Sequence, residues 1–129
     1  MRKLSMTIII GLLFLLAPIF AMAQSTTGSI QGFNCVTQGK VCPIGKEDPV
    51  AATENVFVLL VDAAKADYYF LPNVDRAVLA RRLNTQVTIE GAVDSKWKSI
   101  KVASISSGGK VVWSTGLQEE MNREIGGYK

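Results

Sequence analysis

Cys35 and Cys42, with six residues between them, are the side chains whose chemistry this sequence constrains most tightly. Such a pair can close a disulfide, cycle as a dithiol, or hold a soft ion such as Cu(I). The compartment separates these readings. Met1-Arg2-Lys3 is basic, Leu4 to Phe20 is almost wholly apolar, and Ala21-Met22-Ala23 puts small residues at both cleavage-determining positions. Residues 1–23 therefore read as a secretory signal peptide cut before Gln24, which predicts a periplasmic or secreted protein. A retained anchor is the competing reading, because the apolar run approaches the length of a spanning helix. In an exported chain a lone cysteine pair is most simply a structural disulfide, and closing so short a loop contributes about 2–3 kcal/mol. The spacing is not Cys-x-x-Cys, and the chain has no His to activate a thiolate, although Lys40 and Lys46 would favour one. Two sulfurs without His make an incomplete site for most metals, so neither a metal site nor a cofactor is expected.

A second set interleaves cations with indoles: Lys96, Trp97, Lys98, Lys101, Lys110 and Trp113. That composition suits a surface on which single-stranded nucleic acid stacks. The charge balance argues against it. Taking Arg2 and Lys3 from the 14 basic residues leaves 12 against 11 acidic ones, a net charge of about +1 in the exported chain. Without His, the Ser-His-acid and Cys-His arrangements and all His-ligated metal centres are excluded. No Gly-rich phosphate loop occurs. Ser95-Lys96-Trp97-Lys98 matches Ser-x-x-Lys, but it falls in a predicted hairpin turn without the companion motifs. Asp62 and Asp67 flank a turn and read as solvated carboxylates, and Arg81 and Arg82 read as stabilisers of a helix end. Catalysis is therefore not expected.

These residues need a scaffold, and hydrophobic periodicity predicts a mainly β one. After the signal segment the chain divides into a first segment and strand (24–34), a Cys-bounded loop region (35–55), the body of the domain (56–114) and a helical tail (115–129). A first strand is expected over Ser29 to Cys35. Gly39, Pro43, Gly45 and Pro49 predict a long irregular connection up to Asn55. Val56 to Val61 is a continuous apolar run, as expected of a strand covered on both faces, and Tyr68 to Leu71 follows as a third strand. Val74 to Leu83 is expected to be helical, with Asn73 or Asp75 as N-cap and Asn84 closing the end. Val87, Ile89, Gly91 and Val93 then alternate with polar residues, and Gly91 marks a bulge or sharp bend. Across the next turn, Ile100 and Val102 lie on one face, with Ala103 and Ile105 on the other. Gly108-Gly109 predicts a tight turn before a short added strand, Val111 to Trp113. Thr115 and Gln118 have capping-box spacing, and Leu117, Met121 and Ile125 form a stripe expected to dock the tail helix on the domain.

A helix between the third and fourth of five strands is the layout of the OB-fold, a five-stranded Greek-key barrel, here with a short C-terminal helix added. GSIQGFNC, YYFLPNVDRAVLARRL and VTIEGAVDSKWKSIKVASI together resemble small exported bacterial domains of OB-fold-like type. The resemblance implies a fold and an exported location, without an agreed activity. Several of those relatives carry a His and more cysteines near the first loop, so their metal chemistry does not transfer to this chain. The resulting expectation is a non-catalytic periplasmic binding or interaction module that takes a protein or small ligand through the loop from Cys35 to Asn55 and the exposed barrel face. Thiol or Cu(I) handling by Cys35 and Cys42, and binding of single strands or other polyanions by the lysine and tryptophan set, are the alternatives.

Overall fold

The computed structural model describes residues 23–126. Residues 1–22, which hold nearly all of the predicted signal segment, lie outside the described residues, as does Gly127. No helix among the described residues is long and apolar enough to cross a membrane. The chain runs β1 (Gln24–Gly32), α1 (Phe33–Thr37), α2 (Glu47–Thr53), β2 (Phe57–Asp62), β3 (Asp67–Phe70), α3 (Arg76–Ala80), β4 (Gln86–Asp94), β5 (Ser99–Ser107), β6 (Lys110–Ser114) and α4 (Thr115–Gly126).

The six strands form one sheet in the order β3-β2-β1-β4-β5-β6. Neighbours in that order pair antiparallel, and β3 also meets β5 in parallel at Phe70 and Ser99, so five strands close into a ring. Closure requires sharp coiling, and two glycines supply it. A Cβ at Gly28 would overlap the Leu60 carbonyl, and one at Gly91 would overlap the Lys101 carbonyl. Gly91 therefore sits at a bend, as its place in the alternation predicts. Its partner strand carries the bulge: Glu90 pairs with Ser104 and Gly91 with Val102, leaving Ala103 unpaired between them.

That extra residue corrects the expected facing of β5. The bulge resets the alternation, so Ile105 enters the same core as Ile100 and Val102, and Ala103 faces solvent. β2 behaves as its continuous apolar run predicts. Phe57 and Leu59 enter the main core, while Val58 and Leu60 lie beneath Val36, Phe33, Tyr68 and Phe70 on the other face of the sheet.

The ring's seam is short. Between the β3 contact at Ser99 and the β6 pairing that begins at Ser104, the outer edge of β5 lacks a strand partner. Asn73 takes the strand's place. Its Oδ1 accepts the Val102 N–H and its Nδ2 donates to the Val102 carbonyl, both at 2.8 Å. Phe70 N–H adds a bond to the Lys98 carbonyl at 2.7 Å.

Other expectations shift for local reasons. β1 begins earlier than Ser29 because its first half pairs with β4, and it ends at Gly32 because Phe33–Thr37 turns helical. The connection to β2 holds two short helices rather than irregular chain alone. α3 is shorter than Val74–Leu83: Asp75, not Asn73, caps it by accepting the Ala77 N–H at 2.7 Å, and Asn84 takes a left-handed φ of 61°. Thr115 and Gln118 do not form a capping box. Ser114 Oγ accepts the Leu117 N–H, and Gln118 Oε1 accepts the Trp113 indole N–H. The tail's apolar stripe is not docked, since Leu117, Met121 and Ile125 are all exposed.

The seam can be tested directly. Asn73→Ala strands two backbone groups of Val102 and is expected to cost about 1–3 kcal/mol in urea denaturation, with faster exchange of the Val102 amide. Gly91→Ala should cost a similar amount by overpacking. A neutral Asn73→Ala would remove the amide from any role in closure.

Candidate binding surface

The connection between β1 and β2 is held to the ring at two places. At the first, Cys35 and Cys42 form the expected disulfide, with Cα atoms 5.3 Å apart. Cys42 is fully buried and belongs to the main core. Its Sγ accepts the Gly32 N–H at 3.2 Å, and its own N–H donates to Gln31 Oε1 at 2.6 Å. Gln31 is buried too, and its Nε2 donates to Ser29 Oγ and Asn84 Oδ1. Asn84 Nδ2 in turn donates to Glu47 Oε1 at 2.8 Å, and that oxygen also accepts the Gly45 N–H at 3.0 Å. The Asn84 hydrogen bond, helped by backbone N–H groups of Glu47 and Gly45, holds the Glu47 carboxyl below its ordinary range.

At the second place Glu54, also buried, accepts the Asn34 N–H and the Asn34 side-chain amide. Arg76, the first residue of α3, reaches across. Its Nε and Nη2 donate to the Glu54 carbonyl at 3.1 and 2.7 Å, and Nη2 also donates to the Ala51 carbonyl. These carbonyls lie at the C-terminal end of α2, where a cation is favoured. The guanidinium carbon sits 5.5 Å from the centre of the Phe57 ring.

Between these attachments and the β3–α3 connection lies a groove of about 320 Å³ lined by Asn55, Val56, Phe57, Phe70, Leu71, Pro72, Val74, Arg76 and Leu79. Its walls are mostly apolar, and Arg76 is the single charged lining residue. Phe70 also belongs to an aromatic cluster on the outer face of β2 and β3, with ring centroids 5.5 Å from Phe33 and 5.7 Å from Tyr68. The sequence reading missed Arg76. A signal was present, because an Arg opening a helix opposes the dipole and needs another reason to be there.

The lysine and tryptophan set does not form one surface. Trp113 is 3% exposed and packs in the core, its indole N–H satisfied by Gln118, so it is corrected from a binding residue to a packing residue. The hydrophobic gain from burying so large a ring prevails over display. Lys96, Trp97 and Lys98 lie in the β4–β5 turn, whereas Lys110 follows the turn at the opposite end of β5. Trp97 is 68% exposed with the Lys96 ammonium over its ring, and Lys101 points outward from β5. Lys98 is ion-paired with Asp67 and lies over Tyr69, and the Asp67 hydrogen bond raises its pKa. Lys98 of the Ser-x-x-Lys match is thus engaged by a carboxylate. Asp62 accepts the Ala64 and Lys65 N–H groups of its own turn and pairs with Lys65, so the two aspartates serve different cations. Arg81 and Arg82 border a smaller cavity of about 160 Å³ with Met121 and Trp113. Among the described residues, no three or more Cys, Asp or Glu side chains group to hold a metal ion.

No family model, curated protein or solved structure matches the chain.

Two measurements check the attachments. Thiol alkylation with mass spectrometry should find Cys35 and Cys42 fully oxidised, with a reduction potential below about −300 mV, and C35A/C42A should lose about 2–3 kcal/mol. An easily reduced pair would remove the structural role. For Glu47, a folded pKa depressed below the unfolded one stabilises fully above the ordinary glutamate value of about 4.3 and is lost as pH falls through the depressed value. Acid titration followed by NMR should therefore show the Gly45 backbone amide and the Asn84 side-chain amide shifting below that pH. Glu47→Gln should abolish that step.

Proposed function

We propose that the protein is an exported, non-catalytic binding module built on an OB-fold-like, five-stranded Greek-key barrel. In this reading the groove beside Arg76 is its ligand site. The observation that carries it is the groove itself: about 320 Å³, with apolar walls and a single charged group, which matches the size and chemistry of small-ligand sites. The ring of strands, with α3 between β3 and β4, is consistent with an OB-fold-like arrangement. Such barrels bind through the loop between their first two strands, and Asn55 and Val56, at the end of that connection, form one wall here. The apolar leader with its small-residue site supports export.

The alternatives have less support. A thiol or Cu(I) role needs reachable sulfurs, whereas Cys42 is buried and disulfide-bonded. A polyanion site needs a continuous basic surface, and the lysines lie at opposite ends of β5.

The test begins with the full chain expressed in a bacterium. Protein recovered from the periplasmic fraction should have a mass corresponding to a start at Gln24. Titrated with small apolar fragments, the ¹⁵N-labelled protein should show amide shifts concentrated at Val56, Phe57, Leu71 and Val74. Retention in the cytoplasm would defeat the export reading, and shifts centred on Lys96–Lys98 or scattered over the surface would defeat the groove as the site.

A further inference from the structure

Arg76 sets the polarity of the groove. A guanidinium carries five N–H donors. Those on Nε and Nη2 are directed to the Glu54 and Ala51 carbonyls, and Nη1 has no acceptor among the described residues. The acceptors it does have are neutral, so its charge is not neutralised. The two ion pairs among the described residues are Lys65 with Asp62 and Lys98 with Asp67, and neither involves Arg76. Glu54, the one acid among its hydrogen-bond partners, spends its carboxylate on Asn34, and the adjacent Asp75 accepts the Ala77 N–H as the helix cap. The side chain is nevertheless held in place, with two carbonyls behind it and the Phe57 ring beside it. A cation fixed at the rim of an apolar cleft, with one edge open, is complementary to an anion that carries an apolar body.

We infer that the groove takes a short, apolar monocarboxylate, an inference that rests on the groove being the ligand site. Its carboxylate meets the Nη1 edge of Arg76, and its chain lies over the accessible apolar groups of the lining, Val56, Phe70 and Pro72, with buried Phe57, Leu71, Val74 and Leu79 as the floor beneath. Size sets the length of the chain. The groove, about 320 Å³, stands at the lower end of the range for small-ligand sites, which suits a short acid, and an eight-carbon one serves as the probe. A phosphate or sulfate without a tail would leave the apolar walls wet. An uncharged chain would leave the cation unmatched.

The experiment compares three probes of one chain length on the mature ¹⁵N-labelled protein at neutral pH: octanoate, octan-1-ol and octyltrimethylammonium. Octanoate should shift the amides of Val56, Phe57, Leu71 and Val74. Octanol should shift the same amides with about tenfold weaker affinity, and the cationic probe should bind more weakly still. Arg76→Gln should bring octanoate down to the octanol value. Because that substitution also releases the Ala51 and Glu54 carbonyls, the probe series on the wild-type protein is the deciding arm. Equal affinity for octanoate and octanol in the groove would overturn the anion preference while leaving the groove reading intact. No groove shift with any of the three would overturn both. Octanoate shifts centred on Lys96–Lys98 would assign anion recognition elsewhere and overturn the inference.

Discussion

The structure depends on closing a ring of five strands at a seam where only one pair of residues meets. Antiparallel neighbours hold four of the five junctions, and each follows from a hairpin or from β1 lying between β2 and β4. The junction of β3 with β5 is different, because these strands are distant in sequence and bridge only at Phe70 and Ser99. The backbone of β5 beyond that bridge would be left without partners, at a cost comparable to lost hydrogen bonds. Asn73 meets this need with a side-chain amide that has the donor and acceptor of a peptide group. Pro72 just before it ends β3, so the chain turns away at the point where the amide must take over. Gly28 and Gly91 are the counterpart on the far side, where the strands approach too closely for a Cβ.

Once the ring is closed, its interior is filled by alternate residues of every strand, and the connection from β1 to β2 must lie outside it. The disulfide alone would not orient so long a connection. Gln31 does much of that work, because its buried amide links Cys42 to Asn84 and thereby to Glu47. A single network thus joins β1, the loop and Asn84 in the connection from α3 to β4. Arg76 fixes the other end of the loop. The groove is the space left between a loop attached at both ends and the β3–α3 connection held by Asn73.

Much of the scaffold was legible because its signals are local. The alternation of β4, the unbroken apolar run of β2, the aromatic β3, the Asp75 cap and the paired cysteines each depend on neighbours a few residues away. The illegible parts depend on contacts across the sheet. The bulge at Ala103 exists because Gly91 on the opposite strand bends there, and nothing within β5 itself announces that Ile105 will rejoin the face of Val102. Trp113 shares its residue type with Trp97, yet one is core and the other exposed; Trp113 lies in β6 opposite Ile105, whereas Trp97 lies in the β4–β5 turn. The groove was illegible for the same reason, since its walls come from Asn55–Phe57 and from Phe70–Leu79, brought together by the seam.

This arrangement also bears on how such a site could work. Binding loses less free energy to ordering when the walls are already fixed. Here each wall is fixed by a different device: one by the Asn73 seam, one by the loop's disulfide and amide network, and the rim by Arg76 on backbone carbonyls. Phe57, Leu71, Val74 and Leu79 of the lining also belong to the main core, so the floor of the groove is fixed by the fold and only its exposed edge, at Val56 and Pro72, is free to vary. Arg76 both clamps α2 and supplies the only charge. A change at that residue would alter the charge of the groove and the position of the loop together, whereas a change at exposed Val56 would alter the shape of the groove alone, and changes at Leu71 or Val74 would disturb the core as well.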